Sequence, residues 1–158
     1  MPDPRVQGCV PASVVPSGPA IQEEQDIVYR DVEGAAVKPA MPAALAPPGP
    51  RGTVTPDPVL LFRYSALTGN GHRIHYDMDY AREVEGYPGL VVHGPLQATW
   101  LAGLLAPRPL AAFSFRGRRP ASHGVALQLE AWPDGDAMRL RSLDPGGMAC
   151  MEAEATYA

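Results

Sequence analysis

Lysine is nearly absent from this sequence and cysteine is scarce. Of 13 basic residues in 158, only Lys38 is a lysine. A genome rich in G and C gives such usage without any functional reason, and arginine also suits phosphate, whose oxygens its planar fork binds in pairs. The net charge of -4 and pI near 5.5 give no basic footprint, which speaks against nucleic-acid binding. Cys9 and Cys150 are far apart and fit no ligand or redox spacing, so free thiols in a reducing compartment are expected. No uninterrupted apolar run reaches the roughly 18 residues of a membrane span. The N-terminus lacks the basic start and apolar block of a signal peptide. These absences make a cytoplasmic protein without a membrane anchor the default. Charged residues are only 19%, but 46% hydrophobic residues suffice for one core, and the length suits one domain with an appendage.

Proline is plentiful and unevenly spread. Twelve of the nineteen fall before residue 59, so residues 1–50 read as a Pro/Ala-rich extension and residues 51–158 as the compact domain. Residues 1–20 have no period and are expected to be disordered or loosely attached. Residues 21–32 alternate at Ile27, Tyr29 and Asp31 and read as one strand, which needs a partner. RGTVT, from Arg51, is a short strand. Leu60, Leu61, Tyr64 and Leu67 then recur at helical spacing, and Thr68-Gly69-Asn70-Gly71 is a turn. Asp77 or Asp79 caps a short helix, DYAREVEG, which Gly86 ends. Gly94 and Pro95 open an apolar helix carrying Trp100, Leu101, Leu104 and Leu105. Beyond Pro109 the period becomes two in AAFSFRG, GVALQLEAW, AMRLRSLD and GMACMEAEATYA. Four hairpin-linked strands after one long helix indicate an α+β fold, an antiparallel sheet with one face on that helix.

The stretch from 62 to 105 organises the rest. It holds His72, His75 and His93 of the four histidines. A polar loop just before a Gly-Pro-started helix suits a site where side chains and helix-start amides face one bound carbonyl. His72 and His75 superficially suggest a metal, yet no Cys or Glu stands at ligand spacing, so no metal is expected.

Asn70, His72, Arg73, Ile74 and His75, followed by His93-Gly94, resemble the MaoC-like hydratases. There a loop of the form Asp-x-Asn-Pro-(apolar)-His precedes a His-Gly helix start. FRYSALT, NGHRIHYD and YPGLVVHGPL are similar to a subgroup of double-hotdog hydratases and dehydratases acting on 3-methylfumaryl-CoA and 3-hydroxyacyl thioesters. The resemblance implies a hotdog fold, a sheet wrapped around a central helix, over about residues 51–158. EEQDIVYRD is similar to the last strand of that subgroup's N-terminal hotdog, so residues 1–50 read as a possible remnant of a lost domain. No cofactor is implied. The implied substrate is an acyl-CoA thioester, and the implied partner is a second copy or another hotdog subunit.

Hydration of an enoyl thioester needs a base for water, an acid for the α-carbon and donors for the enolate-like oxygen. His75 is the candidate acid/base, since imidazole titrates near neutral pH. Gly94 offers its amide to the thioester oxygen, and Asn70 places the water. Asn70 stands where the R-specific hydratases have a catalytic aspartate; an amide is no base, though the closer subgroup also carries Asn. The second proton-transfer group is His72 or Asp77. Asp77 and His93 border the substrate, His93 as a structural helix-start residue rather than a catalyst. Arg116, Arg118 and Arg119 form either a solvated turn or a site for CoA phosphates. The function implied is a hydro-lyase on a short enoyl-CoA such as 3-methylfumaryl-CoA. Its rivals are a dehydratase of fatty acid synthesis acting on longer chains and a non-catalytic thioester-binding subunit.

Overall fold

The computed structural model describes residues 5–8, 22–28 and 42–158. Contacts divide the chain into two units, Met1–Pro39 and Ala40–Ala158. In the first, β1 (Arg5–Gly8) pairs antiparallel with β2 (Gln25–Val28). The strand expected within 21–32 is β2. Its partner comes from the stretch expected to be loosely attached, where two paired segments satisfy each other's backbone groups without any sequence period. Tyr29, Asp31 and Cys9 lie outside the described residues.

The second unit is built on a five-stranded antiparallel sheet. Its strands are β3 (Arg51–Val54), β4 (Leu110–Gly117), β5 (Leu127–Asp134), β6 (Ala137–Leu143) and β7 (Ala149–Tyr157), in the order β3-β5-β6-β7-β4. Alternation decides which face is buried. Leu129, Ala131, Leu140, Met151, Ala153 and Ala155 turn inward against Ala98, Leu101 and Leu105. The opposite face carries Arg51, Glu130 and Arg141 side by side across three strands, with Glu130 bonded to both arginines. Sharp links keep this register. Gly135 and Gly147 take the positive φ of 62° and 74° that the hairpins need. Asp144 accepts from the Met148 amide at 2.9 Å. Residues before β3 are tied down as well: Ala43 donates to the Gly147 carbonyl at 2.8 Å, and Arg141 to that of Ala44 at 2.6 Å.

Helix α1 (Pro58–Thr68) begins where Asp57 accepts from the Leu60 amide at 2.8 Å and ends at Gly69 in the left-handed region. Its buried stripe is Leu61 and Ser65, with Leu60 and Tyr64 partly covered. Leu67, read as part of that stripe, is 84% exposed. A six-residue step from Leu61 turns the helix well past the face set by a four-residue step.

Helix α2 (Gly94–Gly103) lies over β4 to β7. At ten residues it is shorter than the long helix expected. Leu104, Leu105 and Ala106 each bond three residues back, a tightened coil that ends the helix before Pro107. The expected helix over DYAREVEG is instead a π turn, Tyr80–Val84. Its wider winding closes when the Glu85 amide reaches the Tyr80 carbonyl at 3.2 Å, while Asp77 caps Tyr80 at 3.0 Å and Gly86 ends it at φ 71°. No helix among the described residues is long and apolar enough to cross a membrane.

Between the π turn and α2 the chain runs extended through the core. Val91 donates to the Ile74 carbonyl at 2.9 Å and Val92 to that of Ala121 at 2.8 Å. Gly89 starts this run beside the ring of His123, and a β-carbon at Gly89 would lie 2.6 Å from its Cε1. The His123 backbone is fixed by its 2.9 Å bond to the Leu90 carbonyl, so relief must come from turning the ring, whose Nδ1 is buried. Gly89→Ala is therefore expected to destabilise the fold by about 1–3 kcal/mol, read as a lower urea midpoint at unchanged slope.

Candidate active site

The extended run 90–92 is what positions the histidines. A 3₁₀ turn (Arg73–His75) lies against it, and His75 Nδ1 stands 2.7 Å from the Val91 carbonyl oxygen. A carbonyl only accepts, so Nδ1 carries the proton and the lone pair of the neutral ring sits on Nε2. No described group bonds Nε2. His75 is 7% exposed, and its pKa is lowered, chiefly by burial and further by the charge of His72, against the opposing Val91 bond. A ring that stays neutral near pH 7 with its lone pair on a known nitrogen is equipped to be a general base.

His93, the last residue before α2, is fully buried and stacks on His75, ring centroids 3.7 Å apart and planes within 18°. Its Nε2 is 2.9 Å from Ser65 Oγ on α1, and the Tyr64 ring meets it edge-on at 4.8 Å. Its Nδ1 is buried without a partner. Burial first, then the proximity of His75, lowers its pKa to about 4. It lies deeper than His75.

The remaining expected residues divide into two groups. His72 stands beside His75, ring centroids 5.7 Å apart. Asn70 Oδ1 accepts from the His72 amide at 3.0 Å, and Asn70 borders an apolar groove of about 240 Å³ with Phe62, Ser65 and Tyr76. Gly94 opens α2 next to His93. Pro95 has no N–H, so Gly94 and Leu96 hold this end's donors, and no described group accepts from either. Asp77 sits one turn on, held by the Tyr80 amide and by Arg73 at 2.7 Å; both bonds lower its pKa. A carboxylate held in this way caps a turn and does not donate protons near neutrality. Arg116 lies near the end of β4, and Arg118 and Arg119 follow just beyond it. Arg118 is paired to Glu152, and the amides of Arg118 and Arg119 donate to the Cys150 carbonyl at 2.8 and 3.2 Å. Arg116 and Arg118 line a concavity of about 560 Å³ with Arg139, Arg141 and Glu154, which holds none of the histidines. Among the described residues, no three His, Cys, Asp or Glu side chains gather as a metal site.

The family model for hydroxyacyl-thioester dehydratase type 2 matches residues 9–123. The chain belongs to that family. It is similar to mesaconyl-C(4)-CoA hydratase of Chloroflexus aurantiacus, 49% identical over 138 residues, which cover 84% of this chain and 49% of that one. It thus spans about half the length of that curated relative. Solved structures agree in fold. HtdX of Mycobacterium tuberculosis superposes with a TM-score of 0.65 at 22% identity, covering 85% of this chain and 52% of that one. The (R)-hydratase from A. caviae involved in PHA biosynthesis superposes at 0.58 and 19% identity, covering 77% of this chain and 96% of that one. The fold is the hotdog fold of this family.

Two parts of the site were missed from sequence. Ser65 lies within FRYSALT, where a serine four residues after Leu61 on a buried stripe is a visible signal. The Val91 carbonyl had none, since any residue supplies that acceptor.

Proposed function

We propose that the chain carries the catalytic hotdog of a hydro-lyase that reversibly hydrates a short enoyl-CoA thioester, 3-methylfumaryl-CoA (mesaconyl-C4-CoA) in particular. The observation that carries the reading is the His75 ring, neutral and pinned through Nδ1 to Val91 in the extended run that leads into α2, so that Nε2 is the base. His75 takes a proton from water as its oxygen attacks the β-carbon. The Gly94 amide donates to the thioester oxygen as negative charge grows there, and Asn70 holds the water. His72, beside His75 and exposed, returns a proton to the α-carbon, while Asp77 is occupied by Tyr80 and Arg73. Arg116 and Arg119 serve the CoA phosphates. Neither backbone conformation nor packing calls for glycine at 94: its φ is not positive and a β-carbon would meet only Met151 Cε at 3.8 Å. Close approach of a ligand to the amide does. Gly94→Ala is therefore expected to keep the melting temperature and to lose about 10²-fold in kcat/KM through misplacement of the thioester.

The substrate follows the Chloroflexus relative, and the family's own description favours dehydration of 3-hydroxyacyl thioesters as the second reading. Loss of enoyl-thioester absorbance with 3-methylfumaryl-CoA, beside a long linear enoyl-CoA, separates them. Binding of both by calorimetry without turnover, in a folded preparation, would leave a thioester-binding subunit. The sheet ends in two open edges, β3 and β4, which need a cover, so we expect the chain to work as a homodimer or beside a separate hotdog subunit. A stable monomer by light scattering would contradict this. A cytoplasmic location fits the free, buried Cys150, whose thiol burial pushes up to about 11.

A further inference from the structure

One hydrogen bond does not fix the plane of a ring. The bond from His75 Nδ1 to Val91 holds one corner and leaves the ring free to rock about it, which would swing Nε2 across the site. His93 removes that freedom by lying parallel to His75 at 3.7 Å. Two residues of α1 in turn hold His93: Ser65 at 2.9 Å through its hydroxyl and Tyr64 through a ring edge. Three separate segments, the 3₁₀ turn, the start of α2 and α1, thus converge on one stack. The fully buried His93 also closes one face of His75 to water, at the expense of a ring nitrogen with no partner.

We propose that His93 and Ser65 are positioning residues for His75: the Ser65 hydroxyl locks the His93 ring, which sets the plane of His75 and seals its inner face. The inference rests on His75 being the base of the proposed reaction. His72 meets His75 edge-on from its own turn. Among the described residues, Ser65 and Tyr64 of α1 contact His93, and the Val91 carbonyl of the extended run holds His75. Arg73 and Asp77 pair with each other.

With four histidines, isotope-labelled imidazole signals can be followed against pH by NMR and assigned by single substitution. In the unaltered protein His75 is expected to titrate below its ordinary value and His93 to stay neutral down to about pH 4. His93→Ala admits water, so the His75 midpoint moves up and the acid limb of kcat/KM moves with it, with kcat down roughly 10-fold or more. His93→Phe keeps the flat plate and restores both. Ser65→Ala retains the fold and KM but lowers kcat several-fold, and it changes the His93 nitrogen shifts. A folded His93→Ala with an unmoved His75 midpoint overturns the proposal, as does a His93→Phe no better than His93→Ala. Should His93→Ala not fold, Ser65→Ala decides: unaltered kcat and His93 shifts overturn it. Failure of the functional reading shows separately, as no turnover by the unaltered protein, while the NMR titration still tests the stack.

Discussion

His75→Ala is expected to lower turnover of an enoyl-CoA thioester by about 10²- to 10⁴-fold, the range that a positioned acid/base group contributes. The alanine leaves the fold in place, because the Ile74–Val91 backbone bond that holds the turn is independent of the side chain. KM is expected to change little, since the ring moves protons and does not carry the thioester. Stopped assays of water addition, run beside a melting curve, check both halves. The unaltered protein is expected to lose kcat/KM as pH falls, because protonation fills Nε2, and the midpoint of that limb lies below the ordinary imidazole value. Burial sets this direction and the neighbouring His72 adds to it. An acid limb above pH 6.5, or a His75→Ala protein with full turnover, would remove His75 from the chemistry.

Much of this site was legible because its parts are close in sequence. Loop, extended run and helix start fall within a few tens of residues, so the polar loop before VVHG already pointed to the helix start, where His75 stacks on His93. The strands were legible for another reason: a sheet covered on one side by a helix imposes alternation, and Leu127, Leu129 and Ala131 keep it. What escaped depends on three-dimensional detail. The π turn over Tyr80–Val84 has nearly the pattern of an α-helix, and only the i+5 bond separates them. The stacking of His75 on His93 brings together residues 18 positions apart through a main-chain carbonyl that leaves no trace in residue type. The arginine turn was legible as a charged cluster, yet whether it faces thioester or solvent depends on the pairing of Arg118 with Glu152 across two strands.

The stacked His75 and His93 also make the fold sensitive to acid. In the unfolded chain His93 has an ordinary value near 6.5, whereas in the folded protein it falls to about 4. Folding therefore expels a proton, and the unfolded state binds more protons between these values. Stability is fully present above pH 6.5 and declines as pH falls, levelling off for this group below about 4. A gap of about 2.5 pH units at 1.36 kcal/mol each amounts to about 3 kcal/mol, a large part of a domain's stability. His75 acts with the same sign, so the pair reinforces the trend. Asp77, a carboxylate held low, loses its stabilising charge only at more acid pH. Urea midpoints measured from pH 7.5 to 4.5 are expected to fall steeply. His93→Phe is expected to flatten most of that fall, because phenyl has no proton to take up and no orphan nitrogen to bury. The difference between the two proteins isolates His93 from every carboxylate. Parallel curves would mean that the buried imidazole is not what makes the fold sensitive to acid.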